Sequence, residues 1–272
     1  MTLTHEELNR YSRHILLKEV GGAGQARLLK SRILVVGAGG IGSPALLYLA
    51  AAGIGTLGII DNDLVSLSNL QRQIIHGTDA LDRPKTQSAA KSILALNPGI
   101  KVECYDTRLN GTNALSLVAS YDLVVDGSDN YETRALVNDA CYFAEVPLVS
   151  AAVGRFEGQL STFRAYERAI NERDSAPRLP CYRCLYPLPP PQGSIMTCEE
   201  AGILGAIAGV MGSLAAVEAL KEILGLGISL AGQLVIYDGL STHTRKVKLT
   251  ADPACALCGE TPSINDLSVH AA

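Results

Sequence analysis

Ile33-Leu34-Val35-Val36-Gly37-Ala38-Gly39-Gly40-Ile41-Gly42 is an apolar run followed at once by a GxGxxG turn. The apolar part shows no polar alternation, as expected of a parallel strand covered on both faces. Glycine removes the Cβ that would keep a phosphate away from backbone N–H groups. The helix that opens on such a turn presents its electropositive end to the same place. Asp61 closes the next apolar run, Leu57–Ile60, about twenty residues on, where an acid commonly holds ribose hydroxyls. Strand, glycine turn, helix, strand and acid together predict a nucleotide site. The alternative is a tight turn that only packs helix against sheet. The turn alone does not separate a dinucleotide from ATP.

Outward from this unit the pattern repeats. Thr4–Leu17 reads as a helix, with Thr4 and Glu7 at capping-box spacing. A helix is expected over about Gly42–Ala52, and Pro84 opens another at a position where its missing N–H is tolerated. Val102–Tyr105, Leu123–Val125 and Leu148–Ser150 read as short strands, alternating with helices near Asn113–Ala119 and Glu132–Ala144. Such alternation predicts an α/β fold, a Rossmann-like doubly wound sheet that is mostly parallel. After Ser150 the pattern changes. Gln159–Phe163, Leu234–Tyr237 and Lys246–Leu249 read as antiparallel strands flanking a long apolar helix from about Glu199 to Leu224. The charged stretch 164–178 and the proline-rich stretch 187–191 read as surface loops. An N-terminal helical arm, 1–30, and one compact unit, 31–272, are expected.

Composition narrows the function classes. Of 272 residues nearly half are apolar, enough for a sizeable core, and the net charge is −4. Binding nucleic acid needs clustered Lys and Arg to neutralise phosphates, so a general nucleic-acid binder is not expected. Ile33–Ile60 and Ala201–Val217 are uncharged and long enough to attract attention as membrane spans. Gly37, Gly39, Gly40 and Pro44 break the first, and small residues suit the second to a buried core or a dimer seam. Met1–Arg13 is polar and charged, without the apolar centre of a signal peptide. A cytoplasmic protein without membrane contact is expected.

A charged set decides between nucleotides. Asp61, Asp63, Asn69, Arg72 and Lys85 follow the second strand, and Asp129 and Asn130 follow Leu123–Val125. Ligands of a doubly wound sheet sit beyond the carboxyl ends of its strands, so Asp61 and Asp129 are expected to face one crevice. Arg and Lys beside a phosphate turn suit a triphosphate, and an Asp opposite them suits Mg²⁺, which prefers carboxylate oxygen. An NAD-dependent oxidoreductase would explain Gly37–Gly42 and Asp61, but gives Arg72, Lys85 and Asp129 no work.

Seven cysteines occur, four of them as Cys181-Tyr182-Arg183-Cys184 and Cys255-Ala256-Leu257-Cys258. Two CxxC pairs supply four thiolates for a tetrahedral zinc site. They lie about seventy residues apart, so the metal would staple distant segments rather than form a finger. Cys198 falls near the expected start of the long helix, where the helix N-terminus favours a thiolate. Cys104 and Cys141 fit the core. His14 and His76 are lone histidines without a triad pattern and are read as structural.

The strings Arg10-Tyr11-Ser12-Arg13, Val36–Gly42, Leu67-Ser68-Asn69-Leu70-Gln71-Arg72-Gln73, Arg83-Pro84-Lys85 and Asp126-Gly127-Ser128-Asp129-Asn130 resemble the signature of the ThiF/MoeB adenylyltransferases. These are bacterial relatives of ubiquitin-activating enzymes. The resemblance runs from about Tyr11 to Gly259. It implies ATP-dependent adenylylation of the terminal Gly-Gly carboxylate of a ubiquitin-like sulfur-carrier protein in thiamine or molybdopterin synthesis. It further implies that Asp61 holds the ribose, that Asn69, Arg72 and Lys85 meet phosphates, and that Asp129 binds Mg²⁺. Arg13 would reach the partner's site in a homodimer, zinc would sit on the four cysteines, and Cys198 would bond to the carrier in some members. The chain ends fourteen residues after Cys258, so a separate sulfur donor is expected. A zinc-stapled module that docks a carrier without activating it is the non-enzymatic alternative.

Overall fold

The computed structural model of the chain describes residues 3–167, 178–191 and 201–270. In chain order the helices are α1 (His5–Arg10), α2 (Ser12–Ile15), α3 (Gly21–Leu28), α4 (Gly42–Ala52), α5 (Lys85–Leu96), α6 (Ala114–Val118), α7 (Tyr131–Ala144), α8 (Tyr182–Leu185) and α9 (Gly205–Leu224). The strands are β1 (Arg32–Val36), β2 (Thr56–Ile60), β3 (Lys101–Tyr105), β4 (Leu123–Asp126), β5 (Leu148–Val153), β6 (Glu157–Phe163), β7 (Gln233–Asp238) and β8 (His243–Lys248). They form one sheet in the order β3-β2-β1-β4-β5-β6-β7-β8. β1 to β5 run parallel and β6 to β8 antiparallel, so the expected change of pattern after Ser150 is real.

The unalternating apolar run of β1 follows from its two covered faces. Successive strand side chains point to opposite sides. Ile33 and Val35 pack with Leu46 and Leu49 of α4 and with Met211 and Ala215 of α9. Leu34 and Val36 pack on the other side with Val118 of α6 and with Val137 and Ala140 of α7. Each buried aliphatic side chain contributes about 1.5–3 kcal/mol, so neither face tolerates a polar residue.

Small residues let α9 close down on α4. A Cβ at Gly212 would stand 2.3 Å from the Ile41 carbonyl oxygen, and Ala208, Ala215 and Ala219 are fully buried. These contacts are the buried-core packing expected of this stripe. No helix among the described residues is long and apolar enough to cross a membrane.

Several boundaries differ from the sequence reading: the fifth strand runs on to Val153 and the sixth begins at Glu157. The expected helix Thr4–Leu17 is broken at Tyr11 into α1 and α2, because Tyr11 (φ −101°, ψ 13°) leaves the helical region while its ring is buried. The Thr4–Glu7 capping box is present. The long helix begins at Gly205 rather than Glu199: Leu204 is extended, and Gly202 has a φ of +74° that no helix accepts. The last strand runs His243–Lys248 instead of Lys246–Leu249.

Candidate active site and cysteine cluster

Sheet register sets the geometry of the site. Val36 lies beside Ile60 on one side and beside Asp126 on the other. The residues one step beyond, Gly37, Asp61 and Gly127, therefore emerge together at the carboxyl edge. Strand order reverses between β1 and β4, which is where an open α/β sheet parts and a ligand crevice forms. Gly37 has a φ of +88°, and a Cβ there would meet the Gly127 carbonyl oxygen at 3.4 Å, so glycine serves both the turn and the close approach of the two loops.

A cavity of about 1270 Å³ opens at this edge. Its walls include Gly37, Gly39, Gly40, Asp61, Asp63, Arg72, Lys85, Asp129 and Asn130, so most of the residues singled out from sequence do meet. The exceptions are informative. Gly42 is not in the wall; a Cβ there would stand 1.9 Å from the Gly37 carbonyl oxygen, so its task is to let α4 pack against the turn. Asn69 is buried and does not line the cavity, its Oδ1 accepting from the Ser66 N–H at 3.3 Å. Arg13 is exposed on α2 and does not line this cavity. Cys198 lies outside the described residues.

The charges are arranged in pairs and relays. Asp61 accepts the Ala38 N–H on Oδ2 at 2.8 Å and the Asp63 N–H on Oδ1 at 2.9 Å. Burial raises its carboxyl above the ordinary value; the neighbouring Lys85 charge and the two N–H groups pull it back. Lys85 opens α5 and is itself buried, with Nζ 2.7 Å from Oδ2 of Asp63. Arg72 is half-buried and donates to the Ser68 carbonyl at 3.2 Å. Asp129 is exposed and makes no ion pair among the described residues; its Oδ1 accepts only from Asn130 Nδ2, at 3.3 Å. Asn130 caps α7 by accepting the Thr133 N–H at 2.9 Å.

Sequence reasoning missed the support beneath Asp129. Asp126 is fully buried, accepting from the Ser128 N–H at 2.9 Å and from Ser150 Oγ at 3.0 Å. Arg134 donates to the carbonyls of Ala151 and Ser128, which anchors the loop carrying Asp129 to β5. A signal was available: Arg134 shares a helical phase with Val137 and Cys141, both buried, and a charge on the buried face of a helix needs a partner.

The four cysteines converge as their spacing predicts. Their Sγ atoms all lie within 4.8 Å of one another, with Cys181–Cys255 at 3.6 Å, Cys181–Cys184 at 3.9 Å and Cys184–Cys258 at 3.3 Å. A tetrahedron with Zn–S bonds of about 2.3 Å has edges of about 3.8 Å. The separations fit a zinc ion and far exceed a disulfide bond, so the cluster could hold zinc. The Cys184 thiol is drawn below its ordinary value, its hydrogen bond with Cys181 being the largest cause. Between the pair, Tyr182 lines the same cavity as the glycine turn, and the half-buried Arg183 makes an ion pair with the buried Asp139 of α7 at 2.7 Å. Of the other cysteines, Cys141 is buried as expected and Cys104 only half-buried.

Fold and site together define a doubly wound α/β protein with a glycine-lined crevice at its switch point and a four-cysteine cluster beside it. The chain belongs to the ThiF family, which it matches over residues 11–257. It is 46% identical over 267 residues to a sulfur carrier protein adenylyltransferase of Thermus thermophilus, covering 98% of this chain and 96% of that one. It is 44% identical over 269 residues to the SAMP-activating enzyme E1 of Haloferax volcanii, covering 98% and 95%. Among solved structures, E. coli MccB in complex with MccA-N7isoASN superposes with a TM-score of 0.77 over 95% of this chain and 78% of that one. At 22% identity that likeness speaks for the fold alone.

Proposed function

We propose that this chain adenylates the C-terminal carboxylate of a ubiquitin-like sulfur-carrier protein at the expense of ATP. The observation that supports it most is the meeting of Asp61, Arg72, Lys85 and Asp129 around the Gly37 turn in one cavity. Near-complete alignment with a sulfur carrier protein adenylyltransferase and a SAMP-activating enzyme E1 supports the same reading.

The reaction needs no protein nucleophile. An oxygen of the carrier carboxylate attacks the α-phosphorus of ATP, the bond from that phosphorus to the bridging oxygen breaks, and pyrophosphate leaves with its electron pair. No proton moves, because the attacking carboxylate is already ionised. Arg72 and Lys85 would meet the charge that develops on the phosphates, and positioning with fixed charge supplies most of the acceleration in such transfers. Asp61 keeps unused lone pairs beside its two N–H donors and would take the ribose hydroxyls. Asp129, which makes no ion pair among the described residues, would hold Mg²⁺, a hard ion suited to carboxylate oxygen. Asn69 would act through the fold of its loop. A homodimer, in which the exposed Arg13 of one subunit reaches the cavity of the other, completes the proposal.

The test is ATP–pyrophosphate exchange by the purified chain, with thiamine-type and molybdopterin-type carriers assayed in parallel. Carrier-dependent exchange that disappears in Asp129→Ala, with the melting temperature preserved, is the expected result. Exchange undiminished in that variant would refute the assignment, and partner binding without exchange would favour a docking module.

A further inference from the structure

His76 is one of the few buried ionisable side chains near the site to which the reaction gives no task. Its Nε2 lies 2.9 Å from the Ala38 carbonyl oxygen and its Nδ1 2.9 Å from Ser88 Oγ. A carbonyl oxygen only accepts, so Nε2 bears the hydrogen. In the neutral ring Nδ1 then accepts from the Ser88 hydroxyl. Burial, helped by the nearby Lys85 charge, lowers the pKa of the ring, against the opposing pull of the Ala38 carbonyl and Asp61. Three elements meet here: the glycine turn, the loop that carries Arg72, and α5, which opens on Lys85.

Ala38 is thus held from both sides, its N–H by Asp61 and its carbonyl by His76. The second bond has a directional consequence. A peptide unit is planar and trans, so the Ala38 carbonyl and the Gly39 N–H point opposite ways. Drawing the carbonyl toward His76 turns the Gly39 N–H to the other side. Gly39 lines the cavity, and neither its N–H nor that of Gly40 has a protein acceptor among the described residues.

We propose that His76 is a positioning residue that sets the orientation of the Gly39 N–H toward a bound phosphate, with Ser88 fixing its ring. This rests on the nucleotide reading above and extends it to a side chain that touches no substrate.

Two near-isosteric variants separate positioning from mere support. The amide nitrogen of His76→Gln reaches roughly where Nε2 stands and still donates to Ala38. The amide of His76→Asn reaches roughly where Nδ1 stands and leaves the Ala38 carbonyl unpaired. Each loses one buried hydrogen bond, so both should melt lower by similar amounts. ATP–Mg affinity, measured by titration calorimetry on the full chain, should part them. His76→Asn is expected to bind about tenfold more weakly, the worth of one ordinary hydrogen bond, and His76→Gln to stay within about threefold of the parent. Equal affinities in both variants, or equal losses that track stability, would overturn the proposal. If His76→Asn does not fold, Ser88→Ala decides: a two- to threefold weakening of about that size supports ring fixation, and an unchanged affinity overturns it. A parent protein that binds no ATP would defeat the nucleotide reading itself and this proposal with it, a result distinct from a parent that binds and variants that do not differ.

Discussion

Lys85→Met separates the part of the site built for a ligand from the part built for the fold. The lysine side chain is 7% exposed, but its partner Asp63 is 61% exposed. An ion pair with one member in water contributes about 0–1 kcal/mol to stability. Methionine keeps the length and volume of the stem, and volume-conserving swaps usually cost less than about 1.5 kcal/mol. The fold should therefore survive. Binding should not survive unchanged: a hydrogen bond to a charged phosphate contributes about 1.5–3 kcal/mol, which is about 10- to 150-fold in ATP affinity.

A second effect follows from Asp61. Its carboxyl is raised by burial and lowered by Lys85, so removing the lysine raises it further. The ionised form then appears only at higher pH, and the acid limb of kcat/KM for pyrophosphate exchange should move up. The assays are thermal melting, ATP titration calorimetry and exchange rates across the acid side of neutrality. A variant that loses several kcal/mol of stability yet binds ATP like the parent would show that Lys85 serves the fold and would refute the reasoning.

Three further outcomes are expected. Gly42→Ala places a Cβ 1.9 Å from the Gly37 carbonyl oxygen; prying turn from helix should cost about 1–3 kcal/mol and weaken ATP binding, and a melt and titration identical to the parent would contradict it. Loss of the cysteine cluster by Cys184→Ser should release about one zinc per chain, measured by metal analysis. If the staple acts like a cross-link worth about 3 kcal/mol, the melting temperature should fall by about 6–12 °C in a chain of this size; a protein purified without metal and equally stable would sink the zinc assignment. Glu103, at the opposite edge of the sheet, is held down to about 2 from an ordinary 4.5 by the hydrogen bond from Lys101 first, with Tyr121 and Arg32 adding to it. A depressed carboxylate stabilises the fold above its unfolded pKa and loses that contribution as pH falls through the folded one. The stability gap between parent and Glu103→Gln should thus be full above about pH 4.5 and close toward pH 2; a gap that does not vary with pH in acid denaturation curves would count against it.

Much of this was legible in the chain because it was local. The apolar run 33–36, the glycine turn and the acid closing the second strand give a βαβ unit by periodicity and steric freedom alone. Two CxxC pairs announce a tetrahedral thiolate site whatever the fold between them, since the metal's own geometry fixes the result. Where the reading slipped, a distant contact overrode local preference: Tyr11 breaks the first helix because its ring finds a buried site, where its hydroxyl accepts a hydrogen bond from Asn97.

Sequence by itself determined which chemical groups the protein owns and which strands they follow. Only the tertiary structure decided which of them share a cavity. Register brings Asp61 and Gly127 to one edge across about sixty-five residues of chain, turns Asn69 inward to close its own loop, gives Gly42 to packing instead of binding, and sets Arg134 and His76 behind the loops that would meet the nucleotide. The reason is physical. Spacing fixes what lies within a turn or two of backbone, whereas the direction of a buried side chain is set by the hydrogen bonds it must satisfy in a packed interior, and those partners come from anywhere in the chain.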